Sequence, residues 1–449
     1  KLKFNNKKET ELTANETAEL NDELLKLTPE QVYDELIKDY GVTKGVSSLN
    51  LQETPEVLRR YLIVEDSIKM NGFSEYKSIS IATNIKKNTA LIFDQLLSGL
   101  PGISVENQPI REYPYGELSS SVLGYINKIN SADQAKYAAK GYDTSADYVG
   151  TSGIEAAMES YLKGTNGGEQ VQVNNTGSID KVITNKAPIP GNNVQLTIDA
   201  NLQYAAESAL NSEMKKLQGE GTVNGLNVSN ATRGAAVAID IHTGGVLALA
   251  SLPGFNPNDF SGLQGLTDAQ SEKYFNPDYE KMAQAQGKPQ SLIDYMFPID
   301  TSIKGNTTIR KDEFDYYPKY LYNYATMSLI PSGSTFKPLT AIAGLETGVI
   351  NANSTYPDQG QFDIGGGVID RFVTDGALGV VNVVSALEKS SNPFFMNVGG
   401  LLRAKFGDGI LAKYAWEFGL GADLNSTNPG TGIEINENFG QVYNPVSQK

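Results

Sequence analysis

The sequence, 449 residues long, contains no cysteine and only one histidine. Without cysteine there is no disulfide framework, no catalytic thiol and no thiolate zinc site. The single histidine, His242, excludes a histidine cluster and makes any Ser-His-Asp triad depend on that one residue. No apolar run approaches the roughly 20 residues that cross a bilayer as a helix, and no signal peptide opens the chain. Basic residues number 37 against 52 acidic ones, a net charge of −15, which argues against a nucleic-acid partner. The remaining composition is ordinary for a globular protein, with 40% hydrophobic and 20% charged residues. A chain of this length is expected to hold about three domains and to bury a full core.

Against that background the stretch Ile330-Pro331-Ser332-Gly333-Ser334-Thr335-Phe336-Lys337-Pro338 stands out. It places a serine and a lysine three residues apart at the start of an apolar helix pattern. Phe336, Leu339, Ile342 and Leu345 recur at every third position, and Gly348 stops the pattern. Residues i and i+3 share a helical face, so the Lys337 amine is expected to reach the Ser334 hydroxyl. Pro338 falls in the first turn, where its missing N–H costs little. A serine there also sees backbone N–H donors and the positive end of the helix dipole, which favour a developing oxyanion. With a lysine as base, this suits an activated nucleophile. Ser-x-x-Lys also occurs, among other places, at Ser74–Lys77 and Ser212–Lys215, in solvated, charged stretches without a glycine-rich turn before them. Both read as ordinary solvated residues.

A second element follows in Lys389-Ser390-Ser391-Asn392-Pro393-Phe394-Phe395. A helix-like segment from Val381 to Lys389 leads into it, and Pro393 restarts the chain into an apolar stretch. Ser390 and Asn392 are therefore expected on a short connection between two helices, where side chains can point into a cleft. Ser-x-Asn alone is weak, since Ser48-Leu49-Asn50 repeats it. The order and spacing of the two elements carry the weight.

Ser-Thr-Phe-Lys followed by Ser-Ser-Asn resembles the active-site signature of penicillin-binding proteins. Further segments resemble the class B, monofunctional type. Asn323-Tyr324-Ala325 is similar to that family's Asn-x-Ala. Gly234 to Ser251 resembles the first hairpin of its transpeptidase domain, and Pro190-Gly191 with Val194 to Gln203 the entry into that domain. Upstream, Arg111 to Gly116, Leu123-Gly124-Tyr125 and Gly150 to Glu155 resemble its pedestal. Two departures are visible. Ser332 intervenes between Pro331 and Gly333, where the family reads Pro-Gly-Ser. No Lys-Thr-Gly, the family's third element, follows Ser-Ser-Asn. His242-Thr243-Gly244 is a variant spelling of that element, but it precedes the nucleophile and reads better as a hairpin turn.

The resemblance implies an α+β chain. Residues 1–188 form an elongated, dimerisation-type pedestal with an amphipathic helix from Pro29 to Tyr40. The Pro/Gly/Asn-rich linker at 187–193 leads into a β-lactamase-like transpeptidase domain, residues 189–449, with an antiparallel sheet and helices on both faces. That domain is expected to be incomplete at its C-terminus, with a sheet edge and one side of the cleft open. Residues 255–322, rich in aromatic and charged residues, read as loops around the cleft. Tyr316 to Tyr324 either stack on a sugar or pack the loops.

The implied chemistry is acyl transfer to a peptidoglycan stem peptide ending in D-Ala-D-Ala. Ser334 is the implied nucleophile and Lys337 its base. Ser390 is the implied proton relay and Asn392 the substrate-binding residue. No metal or cofactor takes part, and β-lactams acylate the same serine. The implied setting is the extracytoplasmic face of the cell membrane, reached through an N-terminal anchor upstream of Lys1. A membrane glycan polymerase of the SEDS type is the implied partner. A β-lactam sensor or β-lactamase, and a non-catalytic cell-wall scaffold, remain the alternatives.

Overall fold

A computed structural model of the chain describes residues 20, 24, 26–70, 79–96, 103–130, 132–144, 146–173, 179–262, 265–365, 368–371, 376–421 and 430–444. These fall into two compact units, divided as Lys1–Asn107 with Glu169–Lys186 and Gln108–Gly168 with Ala187–Lys449.

In the first unit, helix α1 (Pro29–Asp39) begins where the amphipathic pattern predicts it. Thr28 and Gln31 cap each other's backbone N–H groups, and Pro29 occupies the first turn. Tyr33 and Ile37 of α1 pack on Val42 and Val46 of α2 (Val42–Ser48) and on Leu62 of α3 (Pro55–Met70). The paired strands Gly168–Val173 and Ile179–Lys186 belong largely to the same unit. The copy of Ser-x-x-Lys at Ser74 lies outside the described residues.

The second unit gathers residues 108–168 with 187–449, because segments far apart in sequence clamp one another. The Tyr113 backbone is gripped from both sides by Asn258, which accepts from its N–H at 2.8 Å and donates to its carbonyl at 2.9 Å. The buried Glu155 carboxylate accepts from Arg111 at 2.6 Å and from the Tyr113 hydroxyl at 3.0 Å. A buried carboxylate needs such partners, because leaving it unpaired costs several kcal/mol. Tyr125 packs with Phe255, Phe260 and Tyr274 in one aromatic core. Gly124, at φ +76°, lies so close to residue 152 that a Cβ would stand 1.8 Å from the Ser152 carbonyl oxygen.

The long helix α4 (Ala200–Glu220) is capped by Asp199, whose carboxylate accepts from the Asn201 and Leu202 N–H groups. It packs on an antiparallel hairpin of β1 (Gly234–Ile239) and β2 (Val246–Leu252). Gln203, wholly buried, joins the two layers. Its amide donates to the Leu249 carbonyl at 2.8 Å and accepts from the Leu249 N–H at 2.7 Å. His242-Thr243-Gly244 lies in the hairpin turn. Asp240 accepts there from the His242 N–H and the Thr243 hydroxyl, which hold its pKa below the usual carboxylate value. Ser212, of the Ser-x-x-Lys copy on α4, donates to the Ser208 carbonyl along the helix, an ordinary helix-surface contact. Among the described residues no third strand joins β1, and Val237 and Ile239 on it stay about half exposed.

Residues 255–322, expected as loops, instead hold four short helices: Asn258–Ser261, Asp268–Tyr274, Tyr279–Ala285 and Gln290–Met296. Aromatic rings supply a core of their own here. The rings of Phe297, Tyr279 and Tyr317 lie roughly parallel in a triangle, 5.4 to 6.0 Å apart, beside the buried Ile293 and Ala283. Tyr316 and Tyr317 pack this core.

Helices α5 (Lys337–Glu346), α6 (Val383–Glu388), α7 (Asn392–Phe406) and α8 (Ile410–Glu417) lie in the C-terminal part of this unit. With the antiparallel pair β3 (Thr355–Asp358) and β4 (Gly379–Asn382), they enclose the largest apolar cluster, centred on Ala343, Ala386, Phe394, Val398 and Leu402. On α5 Leu339, Thr340, Ala341, Ala343 and Gly344 are buried, whereas Ile342 and Leu345 stay more than a third exposed. The three-residue row read in the sequence drifts around the helix, and a spacing of three and four residues is what meets the core.

Truncating Gln203 would leave the buried Leu249 N–H and carbonyl unpaired, at about 1–3 kcal/mol for each group. The Gln203→Ala variant is therefore predicted to lower the denaturant midpoint and to speed hydrogen exchange at the Leu249 amide at least tenfold. An unchanged exchange rate there would refute the role given to Gln203.

Candidate active site

Gly333 takes φ +55° in the turn that leads into α5, a conformation that suits glycine. Residues 333–336 then form a single 3-10 turn, and α5 begins at Lys337. Ser334 thus stands on the tight turn before the helix, and its side chain is exposed. Ser332, the extra residue, is absorbed by this turn, where its carbonyl accepts from the Thr335 N–H at 3.3 Å. Lys337 is half-buried, with Pro338 behind it in the first turn. On the outer flank, Ile330, Pro331, Gly333 and Phe336 line one side of a largely apolar cavity of about 840 Å³.

The second motif meets the first from the opposite element. Asn382 ends β4 and caps α6 by a reciprocal pair with Ser385. That capping box starts the helix two residues later than the sequence pattern suggests. After α6 the chain turns sharply, and Ser390 takes φ +55°, a conformation that costs a non-glycine residue roughly 1–2 kcal/mol. Ser391, completely buried, caps α7 by accepting from the Phe394 N–H at 3.2 Å. Asn392 and Pro393 occupy the first turn of α7. Asn392 is half-buried, and its side chain hydrogen-bonds no other described residue. Pro393, Phe394 and Phe395 anchor the turn in the core.

These two turns bring three of the expected residues into one hydrogen-bonded line. The Ser390 hydroxyl donates to Ser334 Oγ at 3.0 Å. Lys337 Nζ lies 2.9 Å from the Ser390 hydroxyl and 2.6 Å from the Ser390 carbonyl. Lys337 Nζ also stands 6.0 Å from the centroid of the Phe395 ring. The sequence pattern expected the lysine to meet Ser334 along the helix face, whereas the hydroxyl of Ser390 joins the two. A serine hydroxyl accepts from one neighbour while donating to another, so it can pass a proton between them.

Asn323, three residues beyond Tyr320 in the aromatic stretch, caps the short helix Tyr324–Met327 and donates to the Ser121 carbonyl at 3.3 Å. It braces the segment that leads to the nucleophile turn. Among the described residues, no three His, Cys, Asp or Glu side chains gather in a way that could hold a metal ion. Sequence reasoning passed over Ser391, because the Ser-x-Asn pattern treats its middle position as free.

Known proteins are similar to this chain along most of its length. The Penicillin-binding Protein dimerisation domain matches residues 1–196, and the Penicillin binding protein transpeptidase domain matches residues 234–444. The chain belongs to the class B penicillin-binding proteins. The peptidoglycan D,D-transpeptidase MrdA of Escherichia coli is 29% identical over 385 residues, 83% of this chain and 50% of that protein. The chain thus spans about half the length of the curated relatives it matches. A solved class B structure titled "Structural coordination of polymerization and crosslinking by a peptidoglycan synthase complex" aligns at a TM-score of 0.56 and 27% identity. The alignment covers 86% of this chain and 58% of that one. The penicillin-binding protein PBP2 of Helicobacter pylori, solved in complex with MreC, shares the fold at a TM-score of 0.55. It is 21% identical and covers 94% of this chain and 63% of its own. As a class B penicillin-binding protein, the chain combines the N-terminal dimerisation region with a transpeptidase domain in a mixed helix and sheet fold.

The backbone at position 390 makes a prediction that chemistry alone does not. Ser390→Gly and Ser390→Ala remove the same hydroxyl, but only glycine adopts φ +55° without steric cost. The glycine variant is predicted to be more stable than the alanine variant by about 1 kcal/mol in denaturant titration. Equal stability, or a more stable alanine variant, would contradict the left-handed turn.

Proposed function

We propose that the protein is a peptidoglycan D,D-transpeptidase working through an acyl-enzyme on Ser334. The observation that carries this reading is the unbroken line from Ser334 through Ser390 to Lys337, held between two rigid turns. Ser334 Oγ attacks the carbonyl of the penultimate D-Ala of a stem peptide. Its proton passes to Ser390 as the Ser390 proton passes to the free amine of Lys337. When the tetrahedral intermediate collapses, the C–N bond breaks and the same relay runs backwards, so that the departing D-Ala amine takes the proton. An amine of a neighbouring stem peptide then attacks the ester, delivers a proton along the same path and frees Ser334. Asn392 hydrogen-bonds the substrate amide, and the Ser334 backbone N–H supplies one donor to the oxyanion. A β-lactam presents a similar acyl group and stops at the ester.

In this proposal residues 1–188 serve as the pedestal and residues 189–449 as the transpeptidase domain. The protein works on the extracytoplasmic face of the membrane, held by an N-terminal anchor, beside a glycan polymerase of the SEDS type. The similarity to the peptidoglycan synthase complex supports that partner. Among the described residues no helix is long and apolar enough to cross a membrane.

Peptide mapping by mass spectrometry after treatment with fluorescent penicillin tests the nucleophile, and one adduct on Ser334 is predicted. Lys337→Ala should slow acylation by about 10²–10⁴-fold, the usual worth of a general base. An adduct elsewhere, or one that survives Ser334→Ala, would overturn the assignment. Rapid release of the penicilloyl group would identify a β-lactamase instead.

A further inference from the structure

Asp358, the last residue of β3, is 2% exposed. A carboxylate is rarely so deeply buried without a basic partner, yet among the described residues no lysine or arginine pairs with this one. Hydrogen bonds hold it instead. Its Oδ1 accepts from the Gly360 N–H at 2.8 Å, and its Oδ2 accepts from the hydroxyl of Ser391 at 2.5 Å. The Asp358-Gln359-Gly360 turn is itself confined. Gly360 sits at φ +72°, and a Cβ there would lie 2.7 Å from the Gly376 carbonyl oxygen. The carboxylate is therefore aimed at Ser391 by a turn with little room to move.

Ser391 is the middle residue of the Ser-Ser-Asn motif and is fully buried. Its hydroxyl donates to Asp358 while accepting from the Phe394 N–H, and its own N–H donates to the Ala386 carbonyl at 2.8 Å. Every polar atom thus used pins the turn between α6 and α7. One residue earlier, Ser390 is held in its costly left-handed conformation. One residue later, Asn392 opens α7. We infer that Asp358 is a positioning residue for the acyl-transfer site: through Ser391 it fixes the turn that aims the Ser390 hydroxyl between Lys337 and Ser334. This inference rests on the proposed transpeptidase reading. Asp358 touches no reacting atom. Its effect is on geometry, and a displacement of the order of 1 Å in such a site can cost about a hundredfold in rate.

The test uses Asp358→Asn, which keeps the volume, and Ser391→Ala, which removes the donor. Stopped-flow acylation with a reporter penicillin separates the acylation rate constant from the dissociation constant of the prior complex. Each variant is predicted to lower the rate constant about tenfold to a hundredfold, to change the dissociation constant less than threefold, and to leave the circular dichroism spectrum unchanged. In a Ser390→Ala background Asp358→Asn should cost no more than about twofold, because the group it positions is gone. Asp358→Asn acylating at the parent rate, or keeping its full effect without Ser390, would overturn the inference. Hydrogen exchange gives a reading that needs no acylation. Asp358→Asn should speed exchange of the Ser391 and Phe394 amides at least tenfold while the amides of α5 stay unchanged. Unchanged exchange at Ser391 and Phe394 would also overturn it. Failure of the transpeptidase reading would appear separately, as a parent protein without an adduct on Ser334.

Discussion

The site depends on one hydroxyl. Ser390 stands between the amine of Lys337 and the hydroxyl of Ser334, within hydrogen-bond distance of both. To place it there the chain accepts a left-handed backbone at a serine, a conformation that surrounding structure must impose. The imposing structure is visible. The buried Ser391, the caps on α6 and α7, and Phe394 and Phe395 beneath them leave the turn one arrangement. Local strain is thus held by a well-packed core, and the hydrogen-bonded line from Lys337 to Ser334 inherits the rigidity of that core.

The nucleophile side follows the same logic with other means. Gly333 makes the sharp entry, the 3-10 turn lifts Ser334 clear of α5, and Pro338 starts the helix directly behind Lys337. Gly344 lets α5 lie close against α7, since a Cβ there would meet Val398 at 2.8 Å. The two motif-bearing turns are therefore set by a helix-to-helix distance, which small residues fix. Residues near 113–125 and 251–261, far from the two motifs in sequence, brace one another through Asn258 and Ser120, and Asn323 ties Ser121 to the segment before Ser334.

Much of this was legible in the sequence, for physical reasons. Ser334, Lys337, Ser390 and Asn392 could be singled out because a turn, a serine and an apolar helix recurred in a fixed order, and the structure brings the first three together. The β1–β2 hairpin was found because a Thr-Gly turn separates two apolar runs. Helix α1 was found because residues 29–40 carry an amphipathic pattern. What escaped was long-range. The helices of residues 255–322 were missed because their apolar faces are aromatic and mixed with Asp, Asn and Lys, so periodicity is masked. The Lys337–Ser390 contact was missed because i, i+3 spacing predicts only neighbours on one helix. The partner of Lys337 lies on another helix connection, and no pattern within nine residues reveals it. Asp358 reads as a turn residue beside Gly360, and only folding brings it under Ser391.

In the proposed reaction Lys337 and Ser390 act on Ser334 as a single unit. A double-mutant cycle on acylation by penicillin measures that coupling directly. Lys337→Ala and Ser390→Ala are each predicted to slow acylation severely, and the double variant to be slowed hardly more than the worse single one. If the two losses multiply instead, the lysine reaches Ser334 independently, and the line through Ser390 is not the path of the proton.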